Sequence, residues 1–159
     1  MTQKSLSTWL KAVILGIAFC GTVLCGILLP MMGKDIVAEN PEFSSWYVPW
    51  FAVLWIAAIP CYLVLYHGWK ITLQIGRDRS FSMENAIYLK RISILAIADT
   101  AYFFLANLLL FFLNMNHPGI LMASLFVDFA GVVIAVVAAA LSHLVQKAAA
   151  MQQENDLTI

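Results

Sequence analysis

The chain has 159 residues, 62% of them hydrophobic and only 11% charged, with 9 Lys+Arg against 9 Asp+Glu and a mean hydropathy of +0.86. A soluble domain is nearer half apolar and a quarter charged, and a chain of ~150 residues still leaves roughly a third of its surface in water. The surplus excludes an ordinary soluble globular protein, a disordered chain and a nucleic-acid binder built on a basic surface; it points to an integral membrane protein.

A bilayer core of about 30 Å takes ~20 consecutive apolar residues as helix, because lipid offers the backbone no hydrogen-bond partner. Four stretches qualify, at about 9–32, 48–69, 92–113 and 120–145. The alternating short strands of an outer-membrane barrel are absent. The expected fold is all-α, an integral membrane four-helix bundle forming one domain over 1–159, with a loop at 70–91 and a tail at 146–159.

Span one follows Lys4 and opens on Lys11, a pattern that resembles a signal peptide. The apolar run is too long for one, and no small-x-small site precedes a soluble domain. Phe19 before Cys20 and Leu24 before Cys25 do not fit a lipoprotein site, so the segment reads as a retained span. Its Gly16/Cys20 and Gly21/Cys25 pairs would let another helix approach closely, within the bundle or across a homo-oligomer. The following loop sets Lys34 against Asp35, Glu39 and Glu42, and Asn40–Pro41 favours a turn. The three carboxylates lack the spacing of a calcium loop and read as a solvated face.

Span two carries Trp46, Tyr47 and Trp50 at one interface and Tyr66 and Trp69 at the other, with a helix-kinking Pro60 between them. Cys20, Cys25 and Cys61 all fall inside spans and show no CxxC spacing, which makes them packing residues. His67, His117 and His143 are scattered, so neither a metal nor a cofactor is expected.

In the loop at 70–91, Ile71, Leu73 and Ile75 extend span two until Gly76-Arg77-Asp78-Arg79 breaks it. Ser82 then reads as an N-cap with Glu84 in the first turn. Phe81 would staple weakly onto Ala86, and the helix from Met83 runs through Arg91 into span three. Lys4, Lys11, Lys70, Arg77, Arg79, Lys90, Arg91 and Lys147 lie on one side of the membrane and only Lys34 on the other. That distribution makes both termini and the middle loop cytoplasmic, where the basic residues can rest on anionic lipid heads. After span four the helix should continue through Gln153 and fray at Asn155–Asp156.

Asp99 in span three and Asp128 in span four are the sharpest signal, because a carboxylate at mid-bilayer costs about 2.5–3.5 kcal/mol by insertion scales. Counting at 1.5 Å per residue from Arg91 and from Pro118 puts them at nearly one level, roughly 12 Å and 15 Å from opposite faces. Span four also carries Gly131, Ala135 and Ala139 as a small-residue register for close packing. Two adjoining carboxylates in low dielectric cannot both ionise. With Tyr102, Asn107, Thr100, Ser124 and Thr22 as polar company, they would form either a proton- or cation-responsive site or a shared-proton bond locking two helices. HExxH, GxSxG, Ser–His and GxGD-type patterns are all missing, as are phosphate-cradling glycine loops, so no catalysis is expected.

Several segments in order carry a resemblance: Asn40-Pro41-Glu42-Phe43, Ala58-Ile59-Pro60, Phe81-Ser82 with Leu89-x-x-Ile92, and the terminal Glu154-Asn155-Asp156-Leu157-Thr158-Ile159. Over nearly its full length the chain resembles the DUF2975 family of small bacterial four-span membrane proteins. That family has no established activity, and its genes often neighbour a small Cro/CI-type helix-turn-helix regulator. The resemblance therefore implies a regulatory or sensory protein of the bacterial cell membrane, without direct nucleic-acid binding. Phe81, Ser82 and Arg91, with Asp156, Leu157 and Ile159 of the tail, would dock the regulator. The alternative is a small proton-linked transporter or channel subunit using Asp99 and Asp128.

Overall fold

The computed structural model describes residues 2–157. Among them, four helical segments are long and apolar enough to cross a membrane, the all-α membrane architecture expected from composition. Helix α1 (Gln3–Val23) passes through a wide turn at Leu24–Leu28 into α2 (Leu29–Glu39); a short 3-10 turn (Pro41–Phe43) then leads to α3 (Ser44–Gly76), and α4 (Met83–Phe112) and α5 (Pro118–Leu157) follow.

Local chemistry accounts for the joints. Pro30 has no N–H to give Gly26, and its ring crowds that carbonyl. The turn before it widens instead, and Leu29 N–H bonds back to Leu24 five residues earlier, as in a π-bulge. Helix α3 runs unbroken through Pro49 and Pro60 and stops where Asp78 takes φ 61°. Ser82 caps α4, its side chain accepting from Asn85 N–H at 3.2 Å. Phe81 makes no staple; it is 61% exposed. Helix α5 has 40 residues, about 60 Å at 1.5 Å per residue and twice the bilayer core. It stays helical through Asn155–Asp156 to Leu157, beyond the point where the sequence predicts fraying.

Both ends of the molecule have a distinct chemistry. The start of α1, the α3–α4 loop and the end of α5 gather at one end, the basic end, which carries eight of the nine basic residues. The α2–α3 and α4–α5 turns meet at the other, aromatic end, where Trp50 Nε1 donates to Met115 O at 2.8 Å.

The four-helix architecture is open. Helix α1 packs on α3, α3 on α4 and α4 on α5, while among the described residues the backbone of α1 comes within 8 Å, Cα to Cα, of neither α4 nor α5, nor that of α3 of α5. The buried residues therefore lie in seams between sequence neighbours. In the first seam Ser7 Oγ donates to Thr72 O at 2.7 Å, and Tyr62 OH meets Thr22 Oγ1 at 2.7 Å. Gly21 faces that tyrosine, whereas a Cβ at Gly16 or Gly26 would meet nothing within 4 Å.

The α4–α5 seam is built from small and polar residues of α5. Ser124, Asp128, Ala135, Ala138, Ser142 and Ala149 are buried, in alternating steps of three and four with half-buried Gly131 and Val145 completing the row. This corrects the predicted Gly131–Ala135–Ala139 register: Ala139 is exposed and Ala138 is the residue that packs. Steps of four alone drift off one face of a 3.6-residue helix, whereas alternating steps stay on it.

Candidate functional site

At the basic end the α3–α4 loop is held in shape by its neighbours. Asn85, almost fully buried, donates from Nδ2 to Arg79 O at 3.1 Å and Ser80 O at 2.9 Å. Gln74 at the end of α3 hydrogen-bonds Glu84 at the start of α4. Ser142 Oγ reaches from α5 to Ala86 O at 2.7 Å, which fixes the end of α5 beside the same loop. Between them lies a groove of about 640 Å³. Asp78 to Met83 form one wall, Ala149, Gln152 and Gln153 of α5 the other, and Gln3 of α1 closes it.

Two of the predicted docking residues, Phe81 and Ser82, line this groove. Arg91 lies further along α4, exposed and outside the lining. Asp156 and Leu157 continue the α5 backbone just beyond Gln153, and Ile159 lies outside the described residues. Asn85 and Ser142, which shape the groove, are residues that sequence reasoning missed. A lone polar residue in a helix carries no periodic signal, and only the buried carbonyls it must satisfy give it away.

Within the spans the four predicted polar residues do not converge. Asp99, half-buried on α4, accepts from the Cys61 thiol of α3 at 3.4 Å. Asp128 is only 8% exposed, and neither of its oxygens has a hydrogen-bond partner. No hydrogen bond joins the two carboxyls. Thr100 lies against Gly131, so with the helices antiparallel Asp99 and Asp128 stand about 6 Å apart in level at 1.5 Å per residue. Tyr102 OH donates to Val53 O at 3.4 Å. Asn107 donates to Phe103 O at 2.9 Å and accepts from Asn116 at 3.2 Å. Thr100, Thr22 and Ser124 each donate to a carbonyl of their own helix. The polar company expected for the aspartates is thus spent on backbone. Cys61, read from sequence as packing, is the group that meets one of them.

A family model described as "Protein of unknown function (DUF2975)" matches residues 31–159. The chain belongs to the DUF2975 family. It is 32% identical over 139 residues to the uncharacterized membrane protein YoaS of Bacillus subtilis (strain 168), a match covering 86% of this chain and 86% of that one. No solved structure matches. The DUF2975 match starts at Met31, so it leaves out α1 and the wide turn and takes in α3, α4 and α5. Both groove walls and both aspartates therefore belong to the DUF2975 segment of this membrane protein.

Proposed function

We propose that this protein is a non-enzymatic regulator of the bacterial cell membrane that receives a soluble partner in the groove at its basic end. The observation that carries the reading is the groove itself. It joins the α3–α4 loop to the α5 extension, two segments far apart in sequence, and presents an exposed phenylalanine between hydrogen-bonding side chains. A buried aromatic anchor ringed by polar contacts is the usual core of a protein interface. The partner implied by the family resemblance is a small Cro/CI-type helix-turn-helix regulator.

Affinity purification from native cells in mild detergent tests this with three tagged forms: full length, Phe81→Asp, and a chain truncated after Gln153. A small DNA-binding protein should be retained by the full-length chain and lost by at least about tenfold from Phe81→Asp, since a central aromatic anchor carries roughly 2 kcal/mol or more. Loss from the truncated form would extend the dock into the tail. The same eluate from all three forms would overturn the reading.

The reading also requires the basic end to face the cytoplasm, the side that the excess of Lys and Arg selects. In a chain with Cys20, Cys25 and Cys61 replaced by serine or alanine, Ser80→Cys and Gln153→Cys should resist a membrane-impermeant maleimide in intact cells and react once the membrane is opened. Glu39→Cys should react in both cases. The reverse pattern would rule out a cytoplasmic partner.

Asp128 favours a second reading. A carboxyl buried at membrane depth without a hydrogen-bond partner is costly and commonly marks an ion or proton pathway. Proton-linked transport through Asp99 and Asp128 predicts pH-dependent flux in liposomes that falls to background in Asp128→Asn. Equal flux in the variant and the parent would remove the aspartate from the path.

A further inference from the structure

The aromatic end holds a second hollow, of about 600 Å³. Trp46, Tyr47, Trp50 and Phe51 of α3 form its floor and Met32 and Ile36 of α2 one wall. His117 and Ile120, where α5 begins, close the far side. The aromatic floor is a packed surface: the Tyr47 and Phe51 rings stack at 5.7 Å, and Phe43 and Trp46 lie at 4.6 Å between centroids. Gly33 lets α2 settle onto it, since a Cβ there would come within 2.6 Å of the Tyr47 ring.

We infer that this cleft binds one acyl chain of a membrane phospholipid. Its lining is almost wholly apolar, and two of its few polar atoms have partners within the protein. Trp50 Nε1 is spent on Met115 O, and His117 Nδ1 accepts from Gly119 N–H at 3.0 Å. The cleft therefore offers dispersion and exclusion of water, with little hydrogen bonding, and a hydrocarbon chain is the ligand that such a site rewards.

Access supports the same occupant. Helices α2 and α5 both line the hollow but, among the described residues, their backbones do not come within 8 Å of each other, Cα to Cα. The cleft is therefore open at the side as well as the end. Trp46, Tyr47 and Trp50 belong to the aromatic belt that sits at headgroup level, so the side opening faces the acyl region of the adjoining leaflet. The volume fits a small-molecule site, whose usual range is roughly 300–1,000 Å³. A partner helix fits less well, because at 10–12 Å across little more than about one turn of it would find room.

The test uses the full-length protein in vesicles of phosphatidylethanolamine and phosphatidylglycerol, doped with a phosphatidylglycerol that carries a diazirine in one acyl chain. After irradiation, adducts are mapped by mass spectrometry. Adducts on Met32, Ile36 and Trp50 should exceed those on Phe126 and Phe129 by about tenfold; the latter are exposed apolar residues of α5 outside the cleft. Two variants that fill the hollow, Ile36→Trp and Val37→Phe, should lose the cleft adducts and keep those on Phe126 and Phe129. Even labelling across all these positions would overturn the inference, as would cleft adducts undiminished in both filled variants. If neither variant inserts, the ratio in the unmodified protein decides alone.

Discussion

Gly131→Leu is expected to pull α5 away from α4 and to cost about 3 kcal/mol of folding stability, the upper range for overpacking a tight interface. Even a methyl group has no free space, since a Cβ at Gly131 would lie 2.1 Å from Thr100 Oγ1 and 3.4 Å from Thr100 Cβ. The hydroxyl is not a loose end, because it donates to Ala96 O at 2.8 Å. Threonine in a helix has a second rotamer open to it, so Gly131→Ala should be tolerated at about 1 kcal/mol, the value of the displaced hydrogen bond. Leucine has no such escape. Thr100→Ala should restore most of the loss in Gly131→Ala and little of it in Gly131→Leu. Unfolding of the purified chain in mixed micelles measures all four variants. A Gly131→Leu protein as stable as the parent would mean that α4 and α5 do not meet along this face.

Asn107→Leu is expected to cost about 2 kcal/mol, the price of removing one side of a buried hydrogen-bonded group. Asn107 is 0% exposed. Asn116 Nδ2 reaches both its side-chain oxygen, at 3.2 Å, and its backbone carbonyl, at 3.3 Å, and so ties the turn after α4 back onto the helix. Leucine is close in size, so the loss isolates the polar contact from the packing. Asn116→Ala should cost about 1 kcal/mol, and the double variant less than the sum, since both changes delete one contact. Additive losses would show that the two asparagines act separately. The same result bears on function: Asn107 is a candidate intramembrane site residue by sequence, and its bonds all run within α4 and the adjoining turn.

The residues that read correctly from sequence are those whose signal is long or chemically unambiguous. The spans follow from runs of apolar residues that nothing but lipid can cover, and Ser82 follows from the demand of a helix start for an acceptor. Facing was harder to read. Depth along a helix can be counted, which is why Asp99 and Asp128 come out at similar levels, but the side of the helix each uses depends on which neighbour it packs against. Asp99 turns to Cys61 on α3 and Asp128 to the α4 seam. In α5 the abundance of alanine makes Ala138 and Ala139 equivalent in composition, and only contact with α4 distinguishes them. Along the groove, Asn85 and Ser142 satisfy carbonyls that no sequence pattern exposes.

The chain-order row of helices has an energetic consequence. Every helix seam joins neighbours in the chain-order row, even though paired residues such as Ser7 and Thr72 lie 65 positions apart, so each antiparallel pair can close as soon as its second member enters the bilayer. Stability then approximates a sum of nearest-neighbour couplings, as in a one-dimensional repeat array. The α1–α3 seam can persist whether or not α5 is docked, although the groove that Gln3 closes would open. Helix α5 is held through one seam alone, and its far end supplies a groove wall. Like α1 at the other end of the row, it can part from its neighbour without breaking the seams between the rest.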